Sequence, residues 1–109
     1  MRYPVVYFVQ SVIGGPIKIG KSVDPMARLI QLQSGSPFQL RLLATTAKDI
    51  ELELHERFAA DRLHGEWFHP SQELRDYIVD AQKKERFRNA LRAHVHAVFG
   101  DVPDPSPEP

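Results

Sequence analysis

The sequence predicts an α+β fold, in which a small, mostly antiparallel three-stranded sheet is flanked by helices and followed by a C-terminal helical extension. Two apolar segments lie on either side of Gly14-Gly15-Pro16, as is typical of two strands joined by a tight turn. A third strand-like segment begins at Leu40. Three other segments carry apolar residues at intervals of three and four, which indicates helices.

The first two strands are expected at the centre of the sheet. Residues 3–9 are almost continuously apolar and rich in Val and aromatic side chains, which favours a strand covered on both faces. Residues 17–20 form the shorter second strand, and alternation places Lys18 on the face opposite Ile17 and Ile19. That face is either plain solvent or a cleft.

The first helix is predicted to begin at Asp24, which can cap a helix, and Pro25, which suits the first helical position. The Ser-Gly-Ser-Pro run at residues 34–37 ends this helix, because Gly and Pro both interrupt helical structure. The third strand then covers residues 40–46.

Two helical segments complete the pattern. The first extends from about residue 47 to residue 63, with apolar residues four positions apart. A short extended segment follows at residues 66–68. The last helical region runs over residues 71–99, and the polar run at residues 82–86 predicts a bend because it offers few apolar anchors.

Length and composition point to one domain over residues 1–100, with its core in residues 3–68 and its C-terminal helical region in residues 71–99. Residues 101–109 are rich in Pro and acidic side chains, which predicts a disordered tail. The absence of Cys excludes disulfides and thiolate metal sites. Together with the lack of a leader-like or membrane-length apolar run, this absence fits a cytoplasmic protein.

The chain carries 14 basic and 14 acidic residues, so strong binding to nucleic acid through net charge alone is not expected. The charge is uneven, however. Residues 1–35 hold Arg2, Lys18, Lys21 and Arg28 against only Asp24. This basic part either faces phosphates or is a chance imbalance on a solvated surface.

Four residues carry side chains suited to phosphodiester chemistry, although each also has an ordinary structural explanation. Tyr7 is either a core tyrosine or a hydroxyl that handles a proton at a cleft. Arg28 is either a surface residue of the first helix or a guanidinium that forks onto a phosphate. Glu51 and His55 share one helical face, either as a surface pair or as a carboxylate that holds a divalent cation beside a His that orients it.

Two other features point less clearly to chemistry. A zinc site built from His55, His64 and His69 is conceivable, but the spacing of these residues matches no familiar zinc pattern. The only Trp, Trp67, stands beside Phe68 and is expected to dock its segment onto the sheet, with base stacking as the alternative.

As an ordered set, these residues resemble the GIY-YIG endonuclease superfamily, which is named for two short strand motifs separated by a turn. The two motifs look like residues 5–7, Val-Val-Tyr, and residues 18–20, Lys-Ile-Gly. The Arg of the superfamily matches Arg28, and its metal-binding Glu matches Glu51. The fold expected from this resemblance is the small mostly antiparallel sheet with flanking helices described above.

The closer resemblance is to a phage and bacterial branch of that superfamily. Two departures from the superfamily pattern are that Val5 replaces the first Gly and Lys18 replaces the second Tyr, the latter as is usual in this branch. The late Asn of other members has no clear counterpart. The four motifs of the branch stand at residues 18–22, 24–33, 51–58 and 65–68.

The resemblance implies a divalent-metal-dependent endonuclease that hydrolyses phosphodiester bonds, with Mg²⁺ or Mn²⁺ as its cofactor. Tyr7 would activate the attacking water directly or through a relay, Arg28 would hold the phosphate, and Glu51 would bind the metal. Lys18 and His55 complete the expected catalytic set. The expected nucleic-acid contacts, with DNA as the favoured substrate, are made by Lys18, Gly20, Lys21 and Arg28.

A non-catalytic nucleic-acid-binding or partner-docking module on the same fold is the alternative. The neutral net charge and the missing second Tyr favour this alternative, whereas the presence of Tyr7, Arg28 and Glu51 opposes it. A homo-oligomer formed through the C-terminal helices, or an additional DNA-binding partner, is a further hypothesis. No membrane partner is expected.

Overall fold

The computed structural model describes residues 3–100 and confirms the α+β class, but its antiparallel sheet has five strands rather than the predicted three. Arg2 and the predicted tail at residues 101–109 lie outside the described residues. The strands are β1 (Val5–Ser11), β2 (Gly14–Ser22), β3 (Leu40–Thr45), β4 (Arg62–His64) and β5 (Trp67–Phe68), and the helices are α1 (Pro25–Ser34), α2 (Glu51–Arg57) and α3 (Gln72–Phe99).

The order of strands across the sheet is β3-β1-β2-β5-β4, which makes β1 and β2 interior strands. Both faces of β1 are covered, since residues 6–9 are all buried, as its continuous apolar sequence predicts. Val6 and Phe8 belong to the larger core, which also contains residues of α2 and α3. Tyr7 and Val9 point to the other face, where Leu29 of α1 packs against them.

The strand β4 was not predicted, and it corrects the expected second helix, whereas the short extended segment expected at residues 66–68 is confirmed as β5. That helix was expected over residues 47–63, but α2 is only Glu51–Arg57 and a 3-10 turn at Ala59–Asp61 follows it. All three β4 residues are exposed and β5 is only two residues long, so neither strand has a readable apolar alternation. Pairing with β2, as in Ile17 opposite Phe68, is what makes β5 a strand.

The predicted bend at residues 82–86 is wrong, because α3 is continuous from Gln72 to Phe99. The polar residues of this run bind the outer edge of β3. Gln82 Nε2 donates to the Leu43 carbonyl over 2.9 Å. Glu85 Oε1 accepts from the Thr45 backbone N–H over 2.8 Å. These side chains cap an otherwise open strand edge, so they replace the apolar anchors that the sequence lacks there.

The second half of α3 extends beyond the core. Its last buried residue is Ala81, and Phe87 and Leu91 are both exposed. Among residues 3–100, no helix has the length and apolar character needed to cross a membrane.

Candidate functional site

The side chain of Tyr7 lies over Gly20, its direct partner across the β1–β2 pair. Only 1% of Tyr7 is exposed. A Cβ built on Gly20 would overlap the hydroxyl and the outer ring carbons of Tyr7. Gly20 is therefore needed for space, and the room that it leaves is filled by the Tyr7 ring.

The Tyr7 hydroxyl is buried and has no partner that satisfies hydrogen-bond geometry within residues 3–100. Burial raises the pKa of Tyr7 above 10.0, and the negative charge of Glu66 raises it further. The Arg28 guanidinium approaches the hydroxyl and lowers the same pKa, while Glu51 raises it. Because burial dominates, the hydroxyl is protonated at neutral pH and can donate a hydrogen bond to a ligand.

Arg28 reaches the hydroxyl from the first turn of α1. Asp24 fixes that turn, since its Oδ1 accepts from the Ala27 N–H over 3.1 Å and its carbonyl accepts from the Arg28 N–H over 3.1 Å. The side chain of Arg28 is exposed. Within the described part of the chain it forms no ion pair with an acid, so its charge remains available to an anion.

Glu51 is the first residue of α2, and its Oε2 atom is buried without a hydrogen-bond partner among the described residues. Burial raises the pKa of Glu51 above 4.5, and the nearby Glu66 carboxylate adds to that rise. His55 and Lys21 act in the opposite direction. A buried, unpartnered carboxylate oxygen is costly unless a cation or a proton joins it.

His55 stands one turn after Glu51, as the sequence predicts, but both of its ring nitrogens are occupied. Nε2 lies 2.9 Å from the Ile19 carbonyl, and Nδ1 lies 2.9 Å from the Arg62 guanidinium. A carbonyl only accepts and a guanidinium only donates, so Nε2–H donates to Ile19 and Nδ1 accepts from Arg62. His55 therefore ties α2 to β2 and holds Glu51 in place.

Glu66 completes the site, although the sequence analysis assigned it no function. Its carbonyl accepts from the Ile19 N–H over 2.9 Å, and its Oε1 lies 3.1 Å from Lys18 Nζ. The Lys18 side chain is 14% exposed, and its ammonium lies 5.5 Å from the centre of the Trp67 ring. The Gly-Glu-Trp-Phe motif contains Glu66, and the pairing of β5 with β2 brings it to Glu51.

The structure brings some of the predicted site residues together and leaves others apart. Tyr7, Arg28 and Glu51 come together around the space next to Gly20, with Lys18 behind Glu66. Lys21 lies at the side, half exposed, with its Nζ 3.6 Å from Asp49 Oδ2.

Within residues 3–100, the single cluster with metal-ligating atoms is Glu51, His55 and Glu66, whose atoms lie within 4.8 Å of one another. His64 and His69 therefore form no zinc site with His55.

Trp67 is half-buried and packs under Lys18, whereas its neighbour Phe68 is fully buried in the larger core. The expectation that this segment docks onto the sheet is confirmed. The anchor is Phe68, and Trp67 forms part of the wall beside the site.

The chain matches one family model, that of the T5orf172 domain, over residues 5–90. This finding corrects the assignment to the GIY-YIG endonuclease superfamily, because short motifs separated by variable segments do not by themselves fix a family. No curated protein and no solved structure matches the chain.

Proposed function

The chain belongs to the T5orf172 domain family, whose members are nuclease-like, DNA-binding domains, and we propose that it is a divalent-metal-dependent endonuclease acting on DNA. One observation carries the proposal. The Tyr7 hydroxyl and Glu51 Oε2 are both buried without a hydrogen-bond partner of suitable geometry among residues 3–100, and both the exposed Arg28 guanidinium and the Glu51 carboxylate act on the Tyr7 hydroxyl. Buried polar groups are normally satisfied, and unsatisfied ones are concentrated at functional sites.

The proposed roles follow from the chemistry of each side chain. Arg28 binds the scissile phosphate, because its planar guanidinium matches two phosphate oxygens and its charge offsets the charge that develops during hydrolysis. Glu51 holds the divalent cation. When bound, such a cation supplies Lewis-acid stabilisation of phosphate oxygens. The available ligand atoms are carboxylate oxygens, which suit Mg²⁺ or Mn²⁺.

Tyr7 positions the attacking water and relays its proton. The raised pKa of Tyr7 opposes direct action as a phenolate base at neutral pH. A neutral hydroxyl can instead accept a proton from water while passing its own proton to a neighbouring acceptor.

The surface that would bind DNA includes the second half of α3. Residues 83–92 carry five basic side chains and one acidic side chain, Glu85, which is already bonded to β3. This segment is locally basic in a chain of zero net charge, which favours its approach to phosphates. The five basic residues are Lys83, Lys84, Arg86, Arg88 and Arg92.

The proposal is tested by incubating the protein with supercoiled plasmid in Mg²⁺, in Mn²⁺ or in EDTA. Nicking in either metal, its loss in EDTA and its loss in Glu51→Gln support the proposal. Glu53→Gln is the matched control, since Glu53 is an exposed glutamate of the same helix. Full activity in EDTA contradicts the metal-dependent mechanism, and DNA binding without cleavage under all conditions favours the non-catalytic binding module.

A further inference from the structure

Glu66 forms a carboxylate pair with Glu51 across two different elements. Glu51 begins α2, whereas Glu66 immediately precedes β5. The ligating atoms of this pair lie within 4.8 Å of each other. Two ionised carboxylates at that separation repel each other unless a cation or a shared proton joins them, and a hydrogen bond with Glu66 contributes to the raised pKa of Glu51. We propose that Glu66 is a second protein ligand of the divalent cation, with Lys18 as the counter-ion that it uses when the cation is absent.

This inference rests on the proposed function and adds a ligand to the same site. Its second, independent support is Tyr7. Only 1% of this residue is exposed, and its hydroxyl has no hydrogen-bond partner among the described residues. The hydroxyl lies close enough to both carboxylates to interact with their charges. An unsatisfied donor and an unsatisfied carboxylate oxygen around one space indicate a site shaped for a hydrated ion.

His55 is the third member of the cluster, but it is not a suitable ligand. Its Nδ1 lone pair accepts from Arg62, and its Nε2–H donates to the Ile19 carbonyl. Ligation by His55 would break one of these bonds. The remaining ligands are carboxylate oxygens and water, a set that favours Mg²⁺ or Mn²⁺ over Zn²⁺.

Lys18 explains how Glu66 is held before the cation binds. The Lys18 ammonium is mostly buried and lies 3.1 Å from Glu66 Oε1, so each charge compensates the other. A cation that binds Glu66 competes with Lys18 for the same carboxylate. Removal of the Lys18 charge should therefore strengthen cation binding if Glu66 is a ligand.

The test is titration of the full chain with Mn²⁺ in the absence of nucleic acid, with free Mn²⁺ measured by electron paramagnetic resonance. Glu66→Gln should weaken Mn²⁺ binding by at least about tenfold, since even an indirect partner of a ligand contributes that much. Glu66→Asp keeps the charge and should lose less. Glu73→Gln, which removes an exposed carboxylate of α3, should bind like the wild type.

Lys18→Met tests whether Lys18 and the cation compete for the Glu66 carboxylate. It should tighten Mn²⁺ binding by roughly threefold or more, because one positive charge next to the carboxylate is removed. Thermal unfolding of each variant checks that the fold is intact. Unchanged Mn²⁺ affinity in Glu66→Gln, or weaker affinity in Lys18→Met, overturns the inference.

The outcomes also distinguish this inference from the nuclease proposal. Mn²⁺ binding that is lost in Glu51→Gln and kept in Glu66→Gln overturns the role of Glu66 and leaves the nuclease proposal standing. A wild-type chain that binds no Mn²⁺ overturns the two-carboxylate site. The nuclease proposal is then decided by the plasmid experiment, which does not depend on metal binding by the free protein.

Discussion

Tyr7 and Gly20 are direct partners across the two interior strands, and the phenol ring of Tyr7 occupies the space where any other residue at position 20 would place its Cβ. This packing holds the Tyr7 hydroxyl between Arg28 of α1 and the carboxylates of Glu51 and Glu66. The position of the hydroxyl thus depends on the strand register and on a glycine that provides no chemistry of its own.

Gly20→Ala should displace the Tyr7 ring and reduce both stability and activity. Inserting a methyl group into a filled space typically costs about 1–3 kcal/mol of unfolding free energy. Plasmid nicking should fall further than the loss of folded protein explains, because the hydroxyl moves. Gly35→Ala is the control, since the nearest atom to a Cβ there is 3.9 Å away. Wild-type nicking by folded Gly20→Ala would show that the hydroxyl position is not critical.

Glu51→Gln should raise the thermal midpoint at pH 7 in EDTA. The folded protein binds the Glu51 proton more tightly than the unfolded chain, because burial and Glu66 raise the pKa of that carboxyl above 4.5. The stability that this group contributes is fully present below about pH 4.5 and is lost as the pH rises through the raised pKa. Gln has no such loss, so the gain should vanish in acid. Calorimetry from pH 4 to pH 8 measures this difference.

Glu53→Gln is the matched control for this pH series, as Glu53 is exposed on the same helix. Its thermal midpoint should follow that of the wild type at every pH. If Glu51→Gln is instead less stable than the wild type at pH 7, the ionised Glu51 carboxylate stabilises the fold, and the site is not destabilised by charge.

Arg28→Ala should abolish most cleavage and leave the thermal midpoint nearly unchanged. The side chain is exposed and makes no ion pair with an acid within residues 3–100. A surface substitution of this kind usually changes the unfolding free energy by about 0.5 kcal/mol or less. Arg41→Ala, an exposed Arg of β3, controls for the loss of one positive charge. Equal nicking by the two variants would remove Arg28 from the site.

Glu85→Ala should destabilise the fold without touching the site. Glu85 Oε1 accepts from the Thr45 N–H over 2.8 Å and lies 3.2 Å from Thr45 Oγ1, so its removal leaves a strand-edge donor without a partner. The expected cost is about 1–3 kcal/mol in a urea titration. Glu85→Gln keeps an acceptor oxygen and should lose less. Equal stability of Glu85→Ala and the wild type would mean that water replaces the cap.

Local signals in the sequence identified the elements of the first half of the chain, apart from the turn between the first two strands. That turn was expected at Gly14-Gly15-Pro16, but it lies at Val12 and Ile13, and Gly14 begins β2. Asp24 and Pro25 mark the start of α1 correctly, because capping depends on residues next to each other. The apolar run around Tyr7 correctly indicates a strand covered on both faces, and Lys18 does lie opposite Ile17 and Ile19.

The second half depends on contacts between distant residues, so the sequence did not reveal it. Strand β5 pairs with β2 and β4 pairs with β5, and Glu66 reaches the site through the pairing of β5 with β2. The expected bend in α3 was wrong because Gln82 and Glu85 bond to the edge strand β3, at separations of 39 and 40 residues along the chain. Neither relationship leaves a periodic pattern.

The most direct measurement is the single-turnover rate of plasmid nicking in Mn²⁺ for Tyr7→Phe beside Tyr77→Phe. Both changes remove one hydroxyl from a tyrosine whose pKa burial raises, but Tyr77 packs against Phe8 and Phe58 on the opposite side of the sheet. Tyr7→Phe should keep its thermal midpoint, since within residues 3–100 the lost hydroxyl has no partner that satisfies hydrogen-bond geometry. Its nicking rate should fall by about 100-fold or more, while Tyr77→Phe stays near the wild type. Equal rates for Tyr7→Phe and the wild type would contradict a hydrolytic site built around the Tyr7 hydroxyl.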